Sequence, residues 1–344
     1  MHKKNLKNLT LESLLPIVRN MQSRILALTI FLQILTFYAE GGGLLYNFYD
    51  KSCPEAENII RAGLQSASLT DPTTPSAILR LMFHDCQVQG CDASILLDSV
   101  GDTIQQSELH SSKNFGIRKT ELIGVIKSAL EAVCPLQVSC ADIIVLAARE
   151  AVAISGGPRI DVPLGRKDSS TPSTSKLADS SLPSADIGVD GMLQIFAQKG
   201  MTVEESVAIL GGHTIGVTHC SSLHARLYDS HEGKEDALKP TFKNALKIIC
   251  PPTSLVSNIS IVQNDLTSLV FDSHYFSSTN NGQGLLRVDA EMPLDSRTRP
   301  FVRKFAADQG AFFRAFSSAF VKLAASGVLT GARGMVRRSC HVLN

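Results

Sequence analysis

Ala77-Ile78-Leu79-Arg80-Leu81-Met82-Phe83-His84-Asp85-Cys86 is the stretch from which the reading starts. On a helix, Arg80, Phe83 and His84 stand at i, i+3 and i+4 and share one face. A cation, an aromatic wall and a base on one face can do acid–base work on a small polar substrate. Alone, the same residues also fit a surface Arg and a hydrogen-bonded core His. The residues that follow change the odds. Asp85, Val88, Gly90, Asp92 and Ser94 offer oxygen ligands at close, mostly alternating positions. Hard oxygens concentrated in one loop suit Ca2+. Cys86 and Cys91 bracket that loop and could close it as a small ring.

Away from this segment, helical periodicity dominates. Residues 117–133 place Leu122, Ile123, Ile126, Leu130 and Val133 on one stripe. Residues 141–155 are apolar almost all round, which predicts a buried helix, stopped by Gly156-Gly157-Pro158. Thr202 and Glu205 form a capping box for a helix over 202–210. Thr298 is predicted to cap a helix with Pro300 in its first turn, followed at helical spacing by Phe301, Phe305, Phe312, Phe316 and Phe320, read as core. Residues 165–186, rich in Ser, Thr, Asp and Pro, read as a long polar loop. Strand signals are few and there are no internal repeats. The fold class is mainly α, with two helical halves.

The chain has 344 residues, 44% hydrophobic and 19% charged, which is ordinary globular composition with material for a sizeable core. A formal net charge of +1 suggests no nucleic-acid partner. Residues 1–41 read as a secretory signal, with Met21 suited as the start. Arg24 precedes an apolar run from Ile25 to Phe37, and Ala39 and Gly41 suit the cleavage enzyme. The run is shorter than the roughly 20 residues that span a bilayer. The leader carries five basic and two acidic residues, so the mature chain has formal net charge −2. Secretion makes disulfides the default reading for the eight Cys. It also makes Asn258-Ile259-Ser260 a glycosylation acceptor.

The segment Arg80 to Asp98 resembles the distal-side signature of the plant secretory (class III) haem peroxidases. Val207-Ala208-Ile209-Leu210-Gly211-Gly212-His213-Thr214-Ile215-Gly216 is similar to that family's proximal haem-ligand motif. The resemblance runs from about Tyr46 to the C-terminus. It implies a haem peroxidase fold with haem b between a distal half, 42–186, and a proximal half, 187–344. It implies that His213 is the axial iron ligand, that Asp289 accepts a hydrogen bond from it, and that Phe83 lines the haem pocket. Such a partner gives the imidazole anionic character. His84 is implied to take a proton from hydrogen peroxide and return it to the departing oxygen, while Arg80 stabilises the developing negative charge. Asn114 would bond the other nitrogen of His84 and fix its tautomer, and Glu108 would link that network to the calcium loop. Pro183 matches a feature at the mouth where aromatic donors dock.

Two Ca2+ are implied. The distal one would use Asp85, Val88, Gly90, Asp92 and Ser94, with Glu108 linked to it. The proximal one would use Thr214, Asn264, Thr267, Val270 and Asp272. The implied disulfides are Cys53–Cys134, Cys86–Cys91, Cys140–Cys340 and Cys220–Cys250. Met82, Gln87, Ile160 and Ala185 depart from the family pattern without removing a catalytic group. Asn264 stands where the family has Asp, which predicts a weakened proximal site, with Asp265 directed elsewhere. The activity implied is reduction of hydrogen peroxide and one-electron oxidation of small phenolic donors. The protein would be a secreted monomer of the extracellular space or cell wall, with no membrane span. A calcium-bound secreted binding protein without turnover is the rival of another class; loss of Arg80, His84 or His213 would favour it, and all three are present.

Overall fold

The structure is a computed structural model that describes residues 43–98, 107–229, 238–252 and 260–344. The leader assigned to 1–41 and the acceptor Asn258 lie outside the described residues. Helices make up most of what is described: α1 Ala56–Thr70, α2 Thr74–Val88, α3 Thr120–Val133, α4 Cys140–Ile154, α5 Ser175–Ser181, α6 Val189–Ala197 and α7 Val203–Leu210. They continue as α8 Cys220–Tyr228, α9 Pro240–Ile249, α10 His274–Asn280, α11 Arg287–Glu291, α12 Arg299–Ala307 and α13 Gln309–Ala324. Two short strands, β1 Val217–His219 and β2 Ile261–Gln263, pair antiparallel with Val217 opposite Gln263 and His219 opposite Ile261. The mainly α expectation holds.

Local chemistry accounts for most of these elements. Pro75 sits in the first turn of α2, where its missing N–H costs nothing. Ile78, Leu81 and Met82 are buried, and the helix packs along α4, leaving Arg80 and Phe83 only half-buried. Met82 is therefore a core residue off the Arg80–His84 face. In α4 every residue from Cys140 to Val152 is buried, as an all-round apolar pattern demands. Gly156, at φ 96°, ends it in a conformation that costs other residues strain. The Thr202–Glu205 capping box forms at the start of α7.

Three expectations are corrected. The polar segment 165–186 contains a helix, α5, because the Thr174 side chain accepts the Leu177 N–H and caps it. Thr298 precedes α12 but does not cap it; its hydroxyl donates instead to the Met292 carbonyl at 2.6 Å. The Phe stripe belongs to two helices. Asp308 takes an extended conformation and caps α13 through the Ala311 N–H, so Phe301 and Phe305 lie on α12 and Phe312, Phe316 and Phe320 on α13. Apart from the half-buried Phe301, these phenylalanines are fully buried and, with Phe271 and Phe276, form one aromatic core.

All four implied disulfides are present. Such links typically contribute about 2–4 kcal/mol each. Cys140–Cys340 ties the start of α4 to the C-terminal segment. Ile160, where the family has its Trp, is 3% exposed and joins the main core.

Candidate active site

His84 is nearly buried on α2, and its Nδ1 lies 2.6 Å from Asn114 Oδ1. The Asn114 amide donates in turn to the Glu108 carbonyl at 2.7 Å, which fixes its orientation. An amide oxygen can only accept, so Nδ1 carries the proton and Nε2 keeps its lone pair. Burial and the nearby Arg80 charge push His84 down to about 3. The imidazole is thus a neutral base across the physiological range. Burial also lowers Arg80 to about 10, which leaves it charged at neutral pH. Its guanidinium donates to the Phe115 carbonyl at 2.9 Å. Phe83 packs edge-on against His84 and Phe196.

Behind His84 the 85–94 loop gathers carboxylates without enough partners. Asp85 is fully buried; one oxygen accepts the Ala93 N–H and the other, Oδ1, has no hydrogen-bond partner among the described residues. Glu108 accepts from Ser94 Oγ at 3.0 Å through one oxygen, and its Oε1 likewise has none among them. Burial, then repulsion from Asp92 and Glu108, raises Asp85 well above the usual range, and burial pushes Glu108 up to about 7. Buried orphan carboxylate oxygens are costly, and a cation would satisfy them. Val88 ends α2 and Gly90 follows it, both within the ring closed by Cys86–Cys91. Gly90, at φ 127°, lies against Gly327, whose carbonyl oxygen a Cβ would approach to 2.2 Å. No three His, Cys, Asp or Glu side chains among the described residues converge as a metal cluster. Asp85, Asp92, the Ser94 hydroxyl and the loop carbonyls offer oxygen donors alone, a set that suits Ca2+ rather than a transition metal. Arg337, which the sequence did not single out, donates to the Ala93 carbonyl at 2.6 Å and braces this loop from the C-terminal segment.

His213 sits in a single 3-10 turn, Gly211–Thr214, directly after α7. Gly211 permits the turn to press against the aromatic core; a Cβ there would lie 2.3 Å from Phe312. His213 Nδ1 lies 3.1 Å from Asp289 Oδ1, and the same carboxylate receives Tyr275 Oη at 2.6 Å and the Leu286 N–H at 3.0 Å. Burial pushes Asp289 up, but the imidazole and these donors outweigh it and leave it below the usual range. Burial lowers His213, Asp289 outweighs that, and the net is raised. Nε2 makes no hydrogen bond among the described residues, and 35% of the side chain stays accessible. The Arg80 charge lowers the proton affinity of both His84 and His213. An imidazole with a carboxylate behind it and an accessible free nitrogen fits an axial iron ligand.

The residues assigned to the proximal cation divide into two groups. Thr214 Oγ1 lies 3.0 Å from Asp265 Oδ2 and 3.3 Å from Asp272 Oδ1, and Thr267 Oγ1 lies 3.1 Å and 3.2 Å from the same two residues. Asn264 takes no part. It accepts from Thr218 Oγ1 at 2.7 Å, and its amide faces the Ile215 carbonyl. Asn264 N–H donates to the Gly216 carbonyl and so prolongs the β1–β2 pairing, which turns its side chain toward β1. Asp265 then folds inward through an Asx turn to the Thr267 N–H. The Asp265 carboxylate thus stands beside Thr214 and Thr267, where the Asn264 side chain does not. Val270 is 46% exposed at the loop's edge.

Pro183 follows α5, half-buried. The carbonyl before it, on Leu182, accepts Lys113 Nζ at 2.6 Å, and Gln87 Nε2 reaches the Ser181 carbonyl. The donor-mouth candidate is therefore tied to the distal elements. The sequence does not single out Tyr275, and it assigns Asp265 to another direction than the one its side chain takes. Asp265 carried a signal, one residue from the assigned position; Tyr275 carried none.

The family model described as peroxidase matches residues 59–308. The chain is 54% identical over 301 residues to Peroxidase 29 of Arabidopsis thaliana, covering 87% of this chain and 88% of that protein. It is 39% identical to Peroxidase 63 over 95% of this chain and 98% of that one, and 38% identical to Peroxidase 17 over 92% and 95%, both also from Arabidopsis thaliana.

Proposed function

The chain belongs to the plant secretory haem peroxidase family and is a hydrogen-peroxide-dependent oxidoreductase, and from that premise we propose how its own residues divide the work. Haem b, when bound, would supply the redox chemistry: two-electron reduction of hydrogen peroxide and one-electron oxidation of donors. His84 acts at Nε2, accepting a proton from the peroxide and giving it to the departing oxygen. Asn114 holds the tautomer that makes this possible. Arg80 stabilises the negative charge that develops as the O–O bond lengthens. His213 would hold the haem iron through Nε2, with Asp289 behind it, and Phe83 would wall the distal pocket.

The distal half is 42–186 and the proximal half 187–344. One Ca2+ would be held by Asp85, Val88, Gly90, Asp92 and Ser94, with Glu108 linked through Ser94. A second would be held by Thr214, Asp265, Thr267, Val270 and Asp272. The donors are small phenols approaching past Pro183. The protein is a secreted monomer of the cell wall or extracellular space, its leader being 1–41. Four disulfides support export, and no described helix is long and apolar enough to cross a membrane.

The observation that carries the proposal is the pairing of a neutral, amide-bound His84 with a carboxylate-bound His213. Substituting His213→Ala in the purified holoprotein should abolish the Soret band or shift it strongly. Unchanged haem content and spectrum would overturn the assignment.

A further inference from the structure

Asp289 Oδ1 is shared. It accepts from Tyr275 Oη at 2.6 Å and from His213 Nδ1 at 3.1 Å. The first distance belongs to a strong charge-assisted O–H···O⁻ bond, and the second is long for an N–H bond to a carboxylate, which normally closes to about 2.7–2.9 Å. The other oxygen is taken by the Leu286 N–H at 3.0 Å. Three donors thus divide one negative charge, and the phenol holds the larger share of Oδ1. Each bond made to a carboxylate lowers its power to draw a proton from the next donor.

Tyr275 is not free to release that oxygen. It is 2% exposed, lies edge-on to His213 with ring centroids 5.8 Å apart, and packs against Phe276 at 5.0 Å. It occupies the first turn of α10, whose start is pinned by the His274 N–H to Asp272 Oδ1 at 2.7 Å. Asp272 belongs to the Thr214–Asp265–Thr267 cluster. The hydroxyl is therefore positioned by the same cluster that contains the residue following His213.

We infer that Tyr275 tunes the iron ligand: by competing for Asp289 Oδ1 it limits the anionic character that Asp289 confers on His213, and so holds the iron's reduction potential above the value the His–Asp pair alone would set. Tyr275 is a positioning residue and touches neither peroxide nor donor. The inference rests on the proposed role of His213. The alternative role for Tyr275 is simply to satisfy a buried carboxylate, in which case its removal costs stability and leaves the iron unchanged.

The test uses the haem-loaded protein and two readouts that do not depend on turnover: the Fe(III)/Fe(II) midpoint potential, and the iron–histidine stretching frequency of the reduced protein. Tyr275→Phe should strengthen the His213–Asp289 bond. The oxidised form should then be favoured about tenfold, a potential lower by about 59 mV for a one-electron couple, and the stretching frequency should rise. Placing 3,5-difluorotyrosine at position 275, a better donor of nearly the same shape, should move both readouts the other way; it also serves where Tyr275→Phe folds poorly. Asp289→Asn is the control for the ligand itself and should raise the potential and lower the frequency. If Asp289→Asn shifts both readouts while neither change at Tyr275 does, this inference fails and the ligand assignment stands. If Asp289→Asn is also silent, both fail together.

Discussion

The two central histidines sit in opposite electrical surroundings. His84 faces a neutral amide and a guanidinium, and is pushed down to about 3. His213 faces a carboxylate, and its proton affinity is raised despite burial. The same side chain is made a poor proton holder in one place and a carboxylate-backed imidazole of raised proton affinity in the other, and the partner at Nδ1 makes the difference. The two cation loops repeat the contrast. Among the described residues Asp85 Oδ1 and Glu108 Oε1 of the distal side have no hydrogen-bond partner, whereas the proximal carboxylates are bridged by Thr214 and Thr267 hydroxyls. The distal loop therefore has more to gain from a cation, and the proximal one is closer to self-sufficient.

The largest expected effect breaks the distal side outright. His84→Ala should slow the reaction with peroxide by more than the roughly 10²–10⁴ of a typical general base, because the residue serves as base and then acid. Rapid mixing with peroxide measures this step, and a rate matching the unmodified protein would refute the assignment.

A subtler change makes the distal histidine resemble the proximal one. In the unmodified protein the base form of His84 is lost only as pH falls toward about 3, so the peroxide rate should stay level down to that region. Asn114→Asp places a negative charge at Nδ1 and should move the acid limb upward by about one to three pH units. An acid limb that stays in place would show that Asn114 does not control His84. The same depressed affinity makes a linkage prediction. Between about 3 and the unfolded value near 6.5, the unfolded chain binds the proton and the folded one does not. His84 should thus cost stability progressively as pH falls through that window, and thermal unfolding with and without His84→Gln measures its share.

The cation loops offer the next test. With the distal carboxylates raised, and Glu108 at about 7, a cation must displace protons there near neutral pH. Calcium binding should weaken as pH drops below about 7 and should release protons, measurable by calorimetry in buffers of different ionisation heat. Glu108→Gln should reduce the proton release. Absence of any pH dependence would dissolve the contrast between the loops.

The smallest expected effect is a deliberate near-zero. Asn264→Asp should leave calcium content and the haem spectrum unchanged, because the Asn264 side chain faces Thr218. Asp265→Asn should make the proximal ion easier to chelate. Reversed results would return the ligand role to Asn264.

What the sequence determined by itself was local. The i, i+3, i+4 placement of Arg80, Phe83 and His84, the all-round apolar α4 and the Thr202–Glu205 capping box depend on neighbours within a turn or two. Periodicity and cap chemistry are sufficient there. The resemblance supplied partners such as Asn114 and Asp289, which spacing alone could not. Only the tertiary structure decided the break at Asp308, the choice of Asp265 over Asn264, the sharing of Asp289 by Tyr275, and the bracing of Ala93 by Arg337. Thr214 meets Asp265 across 51 positions and Arg337 meets Ala93 across 244. Whether such groups meet depends on how the β1–β2 ladder turns its side chains and how the C-terminal segment is tied back by Cys140–Cys340. Neither is written in the residues next to them.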